Sequence, residues 1–174
     1  MIALVVGGAK SGKSMFAQNL AKSLEREVGK LYYVATMNPN DLEDLNRIEN
    51  HLKEREGYGF LTIEENINMR KVSEIINEND TVLIDSITSI VTNSMFKENK
   101  FFKEVNDEII AGLKSIIDRR CNLVLVSDYL FSDSTVYDCY TEGFRKELGI
   151  INRELAKISD IVIECSYGNV IYHK

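Results

Sequence analysis

The residues with the most legible chemistry in this sequence are Gly7-Gly8-Ala9-Lys10-Ser11-Gly12-Lys13-Ser14, which satisfy G-x-x-x-x-G-K-[ST] at every fixed position. Glycines at these places let successive backbone N–H groups turn inward around an anion. A helix starting just after them adds partial positive charge at its N-terminus. That chemistry suits the phosphates of a nucleoside triphosphate. Lys13 is expected to reach the outer phosphates and to act in catalysis, and the Ser14 hydroxyl to take a coordination position on Mg²⁺. All eight residues are expected nucleotide contacts.

A P-loop nucleotide needs a carboxylate from the end of a second core strand. Thr81-Val-Leu-Ile-Asp85 supplies four β-formers and then an acid, so Asp85 is the expected partner of Mg²⁺, directly or through water. The competing reading makes Asp85 a helix cap, with Ser86 or Thr88 as rivals. Arg47, His51 and Arg55 stand at i, i+4 and i+8, so on a helix they share a face. Two guanidinium groups beside an imidazole favour its neutral, nucleophilic form and can bind phosphate oxygens. The same spacing also describes an ordinary charged helix surface, and spacing alone leaves both readings open. The other histidine, His173, falls in the C-terminal tail and is expected to be exposed and inert.

Positioning these residues requires alternating strands and helices. Strands are expected over Ile2–Val6, Lys30–Thr36, Phe60–Ile63, Thr81–Ile84, Asn122–Ser127 and Asp160–Cys165. Val170–His173 follows the turn Tyr167-Gly168-Asn169 as an antiparallel edge strand. Several runs are almost wholly apolar, as strands covered on both faces are. Helical patterns fill Lys13–Val28, Asp41–Arg55 (apolar stripe Leu42, Leu45, Ile48, Leu52), Phe101–Arg120 and Gly143–Ser159. The expected fold is a P-loop NTPase-like three-layer α/β fold with a mainly parallel sheet and an antiparallel C-terminal edge hairpin, one domain over residues 1–174.

The 174 residues are 44% hydrophobic, enough for a real core, and the net charge of −6 argues against broad binding to nucleic acid or anionic membrane. No apolar run approaches the roughly 20 residues a bilayer span needs. Cys121, Cys139 and Cys165 lack zinc or disulfide-framework spacing and are expected as packed small residues in a reducing cytoplasm. The guanine-reading N-K-x-D and the D-x-x-G of switch GTPases do not occur, which leaves small-molecule kinases and nucleotidyltransferases.

Within that group the sequence resembles the adenosylcobinamide kinase/adenosylcobinamide-phosphate guanylyltransferases of cobalamin assembly. The matching stretches run in order along nearly the whole chain. They are Val6–Ser14, Tyr33-Val-Ala-Thr36, Arg47-Ile-Glu-Asn-His51 with Arg55, Ile84-Asp-Ser-Ile-Thr88, Val91-Thr-Asn93, and Phe144-Arg145 with Gly149, Asn152, Ala156 and Asp160. The phosphate loop is common to many families, whereas Y-x-A-T together with R-I-x-x-H-x-x-x-R is far more restrictive.

The resemblance implies a two-step transferase: phosphorylation of the aminopropanol hydroxyl of adenosylcobinamide by ATP or GTP, then transfer of GMP from GTP through a covalent GMP–histidine. The matching histidine is His51. It further implies nucleotide contacts at Ala35, Thr36 and Met37, at Leu52, Lys53, Glu54 and Arg55, and at Glu64 with one residue inserted before it. A homo-oligomer, possibly a trimer, is implied as well. The chain departs from the family's N-E-V-G-x-G-I-V-P, having Asp128-Tyr-Leu-Phe-Ser-Asp-Ser-Thr-Val136 in its place. Asp128 and Asp133 are there either as replacement acids or as turn residues. Arg145 is a candidate phosphate contact or a solvated helix-face arginine. Two other readings stand beside this one: a P-loop kinase of another small alcohol or nucleoside, and a non-catalytic GTP-binding protein.

Overall fold

Short, largely apolar runs become the strands of the main sheet. The computed structural model describes residues 1–39, 49, 52–53, 55–98 and 100–174. In chain order the described elements are β1 (Ile2–Gly7), α1 (Lys13–Ser23), β2 (Leu31–Ala35), β3 (Leu61–Glu64), α2 (Met69–Ile75), β4 (Thr81–Asp85) and α3 (Ile87–Met95). There follow β5 (Phe96–Lys97), β6 (Lys100–Phe101), α4 (Asn106–Ile117), β7 (Asn122–Asp128), α5 (Cys139–Ile158), β8 (Ile161–Ser166) and β9 (Asn169–Tyr172). Seven strands pair in the order β3-β2-β4-β7-β1-β8-β9, and β5 and β6 form a separate two-stranded ribbon. The β8–β9 pairing is antiparallel and the others in the large sheet are parallel.

Alternating side chains divide the core between the two faces of the sheet. Leu4, Val82, Ile84, Leu123 and Leu125 join Val34 and the apolar sides of α2–α5 on one face. Ala3, Val5, Leu83, Val124, Val126 and Tyr33 join Ala17 and Ala21 of α1 on the other. The same parity, continued to the strand ends, directs Ala35, Asp85 and Asp128 to the face covered by α1. The phosphate loop lies at that helix's N-terminus.

Element boundaries differ from the sequence expectation for local reasons. Helix α1 stops at Ser23, short of Val28, because the chain must pass close under β4's entry. A Cβ at Gly29 would lie 1.9 Å from the Asn79 carbonyl oxygen. Lys30 N then donates to Asp80 Oδ1 at 2.8 Å, and Arg26 Nη1 donates to the Glu78 carbonyl at 2.9 Å. Residues Phe101–Val105 do not join α4: Phe101 pairs in the ribbon and packs edge-on to Tyr140 at 4.7 Å. Helix α5 begins four residues before Gly143, where Asp138 caps it by accepting from Tyr140 N and Thr141 N at 2.8 and 3.1 Å.

Two helices that the sequence reading lacks, α2 and α3, are also present. Helix α3 is rich in β-branched residues, which favour strands, yet Ile87, Ile90 and Val91 are fully buried against the sheet and Ser86 caps its start. Tertiary burial outweighs local preference there. The expected helix Asp41–Arg55 lies mostly outside the described residues. Within it, Glu49, Leu52 and Lys53 have helical backbone, and Leu52, read as part of an apolar core stripe, is 52% exposed. Cys121 and Cys165 are buried as expected, whereas Cys139 is exposed at the first turn of α5. No described helix is long and apolar enough to cross a membrane.

Candidate active site

The phosphate loop runs from the carboxyl end of β1 into α1. Its curvature depends on two glycines. A Cβ at Gly7 would lie 2.5 Å from Ser11 Oγ and 2.6 Å from the Cys165 carbonyl oxygen, and Gly12 holds φ 85° at the helix entry. Ser11 N donates to the Gly8 carbonyl at 3.3 Å, closing the turn. Lys10 also has a left-handed backbone, φ 57°. Lys13 Nζ donates to the Gly8 carbonyl at 3.1 Å and forms an ion pair with Asp128 Oδ1 at 2.7 Å. Both side chains are mostly buried.

A cleft of about 870 Å³ opens beside this loop. Of the residues expected to contact nucleotide, Lys13, Ser14, Ala35, Met37, Leu52, Arg55, Glu64 and Asp85 line it. Thr36 does not: it is fully buried behind the wall. Its hydroxyl donates to the Ser86 carbonyl at 2.9 Å and accepts from Ser86 N at 2.6 Å, bracing the corner after Asp85. The Asp85–Ser86 peptide in that corner is cis. Lys53 points away and pairs with Glu49 at 2.8 Å, with 68% of its side chain exposed. His51, Glu54 and Arg47 lie outside the described residues.

Asp85 is not a helix cap. Ser86 takes that role, its Oγ accepting from Ser89 N at 3.3 Å. The Asp85 carboxylate instead accepts from the Tyr33 hydroxyl at 3.2 Å. Burial, and secondarily the Asp85 charge, push the Tyr33 hydroxyl far above the ordinary phenol range, so it stays a proton donor. The Arg55 guanidinium stacks 3.8 Å from the centre of the Tyr33 ring. A continuous chain thus joins Arg55, Tyr33 and Asp85.

Ser14 and Asp85 offer a hydroxyl and a carboxylate to one cleft, the donor types a hard divalent cation takes. No group of three or more His, Cys, Asp or Glu suited to a metal occurs among the described residues. The set therefore fits Mg²⁺ carried largely by nucleotide phosphates and water, not a protein cage.

One residue at the site carries weight the sequence left unassigned. Asn93 Nδ2 donates to the carbonyls of Thr36 and Asn66 at 2.8 and 3.1 Å, tying the cleft's walls together. Arg145, a candidate phosphate contact, is instead committed to Glu142 at 3.2 Å and Asp133 at 3.8 Å. His173 is half exposed and bonds Glu164 at 2.8 Å.

A mainly parallel sheet with a glycine phosphate loop after β1, an acid at the end of β4 and a strand inserted between them defines a P-loop nucleotide-binding α/β enzyme. Residues 3–172 match the family of cobinamide kinase / cobinamide phosphate guanyltransferase, and the chain belongs to that family of transferases. It is 29% identical to the bifunctional adenosylcobalamin biosynthesis protein CobU of Escherichia coli, the match covering 93% of each chain. It is 28% identical to the protein of the same description from Salmonella typhimurium, the match again covering 93% of each chain. Among solved structures, a prototypical ATPase of a bacterial type III secretion system superposes with a TM-score of 0.54 at 11% identity, covering 95% of this chain and 52% of that one. A second ATPase domain gives 0.55 at 11% identity, covering 94% and 68%. At such identity these two speak to the fold alone.

Proposed function

We propose that this chain phosphorylates the aminopropanol hydroxyl of adenosylcobinamide and then transfers GMP from GTP to that phosphate, through a covalent GMP intermediate on His51. Family membership supports the two activities. The observation that carries the site assignment is one cleft shared by Lys13 and Ser14, by Asp85, and by Leu52 and Arg55 from the segment bearing His51. In this reading backbone amides of Gly7–Lys13 and the Lys13 ammonium bind and orient the triphosphate. Ser14 and Asp85 would hold Mg²⁺, which supplies charge neutralisation at the transferred phosphate. Arg55, pre-oriented on Tyr33, faces phosphate oxygens as charge develops.

GTP labelled at the α-phosphorus, with adenosylcobinamide, tests this reading in wild type and His51→Ala. The expected result is an acid-labile, base-stable GMP–protein bond in wild type only, with loss of guanylyl transfer and retention of phosphorylation in the variant. Equal guanylyl transfer by both proteins would remove His51 from the mechanism. The replaced stretch Asp128–Val136, which bears on the acceptor substrate, favours one second reading, a P-loop kinase of another small alcohol or nucleoside with a single activity, for which wild type takes up no label. We also propose that residues 1–174 act as one domain within a homo-oligomer, which light scattering on the purified chain tests.

A further inference from the structure

Phosphoryl transfer to an alcohol needs a group that takes the hydroxyl proton as the oxygen attacks. Among the described residues four carboxylates line the cleft: Glu64, Glu65, Asp85 and Asp128. Glu65 is committed to the chain that follows it, accepting from Ile67 N at 3.2 Å and Asn68 N at 2.9 Å, with Lys71 at 3.4 Å. Asp85 accepts from Tyr33 and is the acid assigned to Mg²⁺. Glu64 ends β3, four strand steps from β1, or about 19 Å at ordinary strand spacing. Asp128 ends β7, directly beside β1, in register with Gly7 of the phosphate loop.

Its placement is fixed from several sides. Asp128 N donates to Thr88 Oγ1 at 2.9 Å, and its carbonyl accepts from Asn152 Nδ2 at 3.2 Å. Asn152 is itself held by Ser127 Oγ at 2.7 Å, and Tyr129 N donates to the Gly7 carbonyl at 3.0 Å. The carboxylate touches Lys13 Nζ at 2.7 Å. An ammonium has three donors, so Lys13 can hold an outer phosphate and this carboxylate together. Through Lys13, the carboxylate is held beside the phosphate that this lysine binds in the reading above.

We propose that Asp128 is the general base of the phosphoryl-transfer half of the reaction, an assignment that rests on the kinase activity of the reading above. The acceptor O–H bond breaks with its proton passing to a carboxylate oxygen of Asp128. The O–P bond to the γ-phosphorus forms while the bond from that phosphorus to the bridging oxygen breaks, its electron pair leaving with the nucleoside diphosphate. Asp128 afterwards returns the proton to water. The chain thus has an acid of its own in the stretch that departs from its family's pattern.

Asp128→Asn keeps the shape of the side chain and removes the base, and Asp128→Glu keeps a carboxylate. Phosphorylation of adenosylcobinamide is measured with nucleotide concentration varied, and GMP transfer to supplied adenosylcobinamide phosphate is measured in the same preparations. The expected result for Asp128→Asn is a phosphorylation kcat lowered about 100-fold or more. Nucleotide KM should stay within about threefold, guanylyl transfer should fall by less than a tenth as much, and Asp128→Glu should keep more kcat than Asp128→Asn. A parallel fall of both half-reactions, or a raised nucleotide KM with kcat intact, overturns the proposal and makes Asp128 a positioning partner of Lys13. Wild type that transfers GMP but phosphorylates no acceptor removes the kinase reading and this proposal with it.

Discussion

The Arg55 guanidinium lies flat over the Tyr33 ring, 3.8 Å from its centre, although Arg55 belongs to the segment before β3 and Tyr33 to the middle of β2. Arg55 is only 9% exposed, so its cation sits in surroundings that strengthen attraction to the ring face. Arg55→Ala should therefore destabilise the fold by about 1–2 kcal/mol in urea unfolding. Arg55→Lys should recover only part of this, since an ammonium cannot stack as a plane. Tyr33→Phe keeps the ring and removes the bond to Asp85, and should cost about 1 kcal/mol. Lysine fully substituting for Arg55 would show that the stacking contributes nothing.

The sheet and the phosphate loop were legible in the sequence because their signals are local. Each long strand shows as an apolar run, and G-x-x-x-x-G-K-[ST] between a strand and a helix has few other uses. Strand parity also carries information: residues 83 and 85, or 124, 126 and 128, must share a face, so the α1 side of Asp85 and Asp128 follows from counting. Helix α3 was not legible, since Ile87-Thr-Ser-Ile-Val-Thr has strand-like composition and becomes helical only through burial of Ile87, Ile90 and Val91. Pairings such as Lys13–Asp128 and Arg55–Tyr33 join residues distant in sequence. No period or motif spacing encodes them, so they emerge only from the sheet order.

Gly7 tests the loop geometry. The carbonyl oxygen of Cys165 on the neighbouring strand leaves no room for a methyl group, and a backbone atom cannot swing aside as Ser11 Oγ can. Gly7→Ala should cost about 1–3 kcal/mol of stability and weaken nucleotide binding by about tenfold or more as the amides are displaced. Calorimetric titration with GTP and Mg²⁺, beside urea unfolding, reads both. Unchanged values for the variant would mean that the loop does not adopt this curvature.

Glu147 is 2% exposed, and its Oε2 accepts from Val105 N at 2.8 Å, Asn106 N at 2.9 Å and Asn106 Nδ2 at 2.9 Å. Helix α5 thus caps the start of α4 with a carboxylate, favourable at a helix N-terminus. Glu147→Ala strands two main-chain donors away from water and should cost about 1–3 kcal/mol. Glu147→Gln, which keeps an acceptor oxygen, should cost less. Hydrogen exchange provides a local check, with the Val105 and Asn106 amides expected to lose protection before the rest of α4.

Thiol chemistry should separate the three cysteines by environment. Burial pushes the Cys121 thiol up to about 11 and raises that of Cys165 as well, so little thiolate exists at either site near pH 8. Cys139 is exposed. A chromogenic disulfide reagent should modify one thiol rapidly in the native protein and all three in denaturant. Raising the pH toward 11 speeds Cys121 only as its proton is lost. Two fast native thiols would contradict the packing of β8 or of the turn before β7.

The Tyr33 hydroxyl, held protonated by burial, donates to the Asp85 carboxylate at the cleft that Ser14 also lines. If Asp85 helps hold Mg²⁺, Asp85→Asn removes one negative charge without changing size. The Mg²⁺ concentration giving half-maximal activity should then rise about tenfold or more, equivalent to about 1.4 kcal/mol. Nucleotide binding without metal should stay the same or tighten, because one charge repelling the phosphates is gone. That opposite response separates metal holding from a general structural role, under which both would weaken. A Mg²⁺ dependence unchanged by the substitution would transfer the role to another oxygen of the cleft.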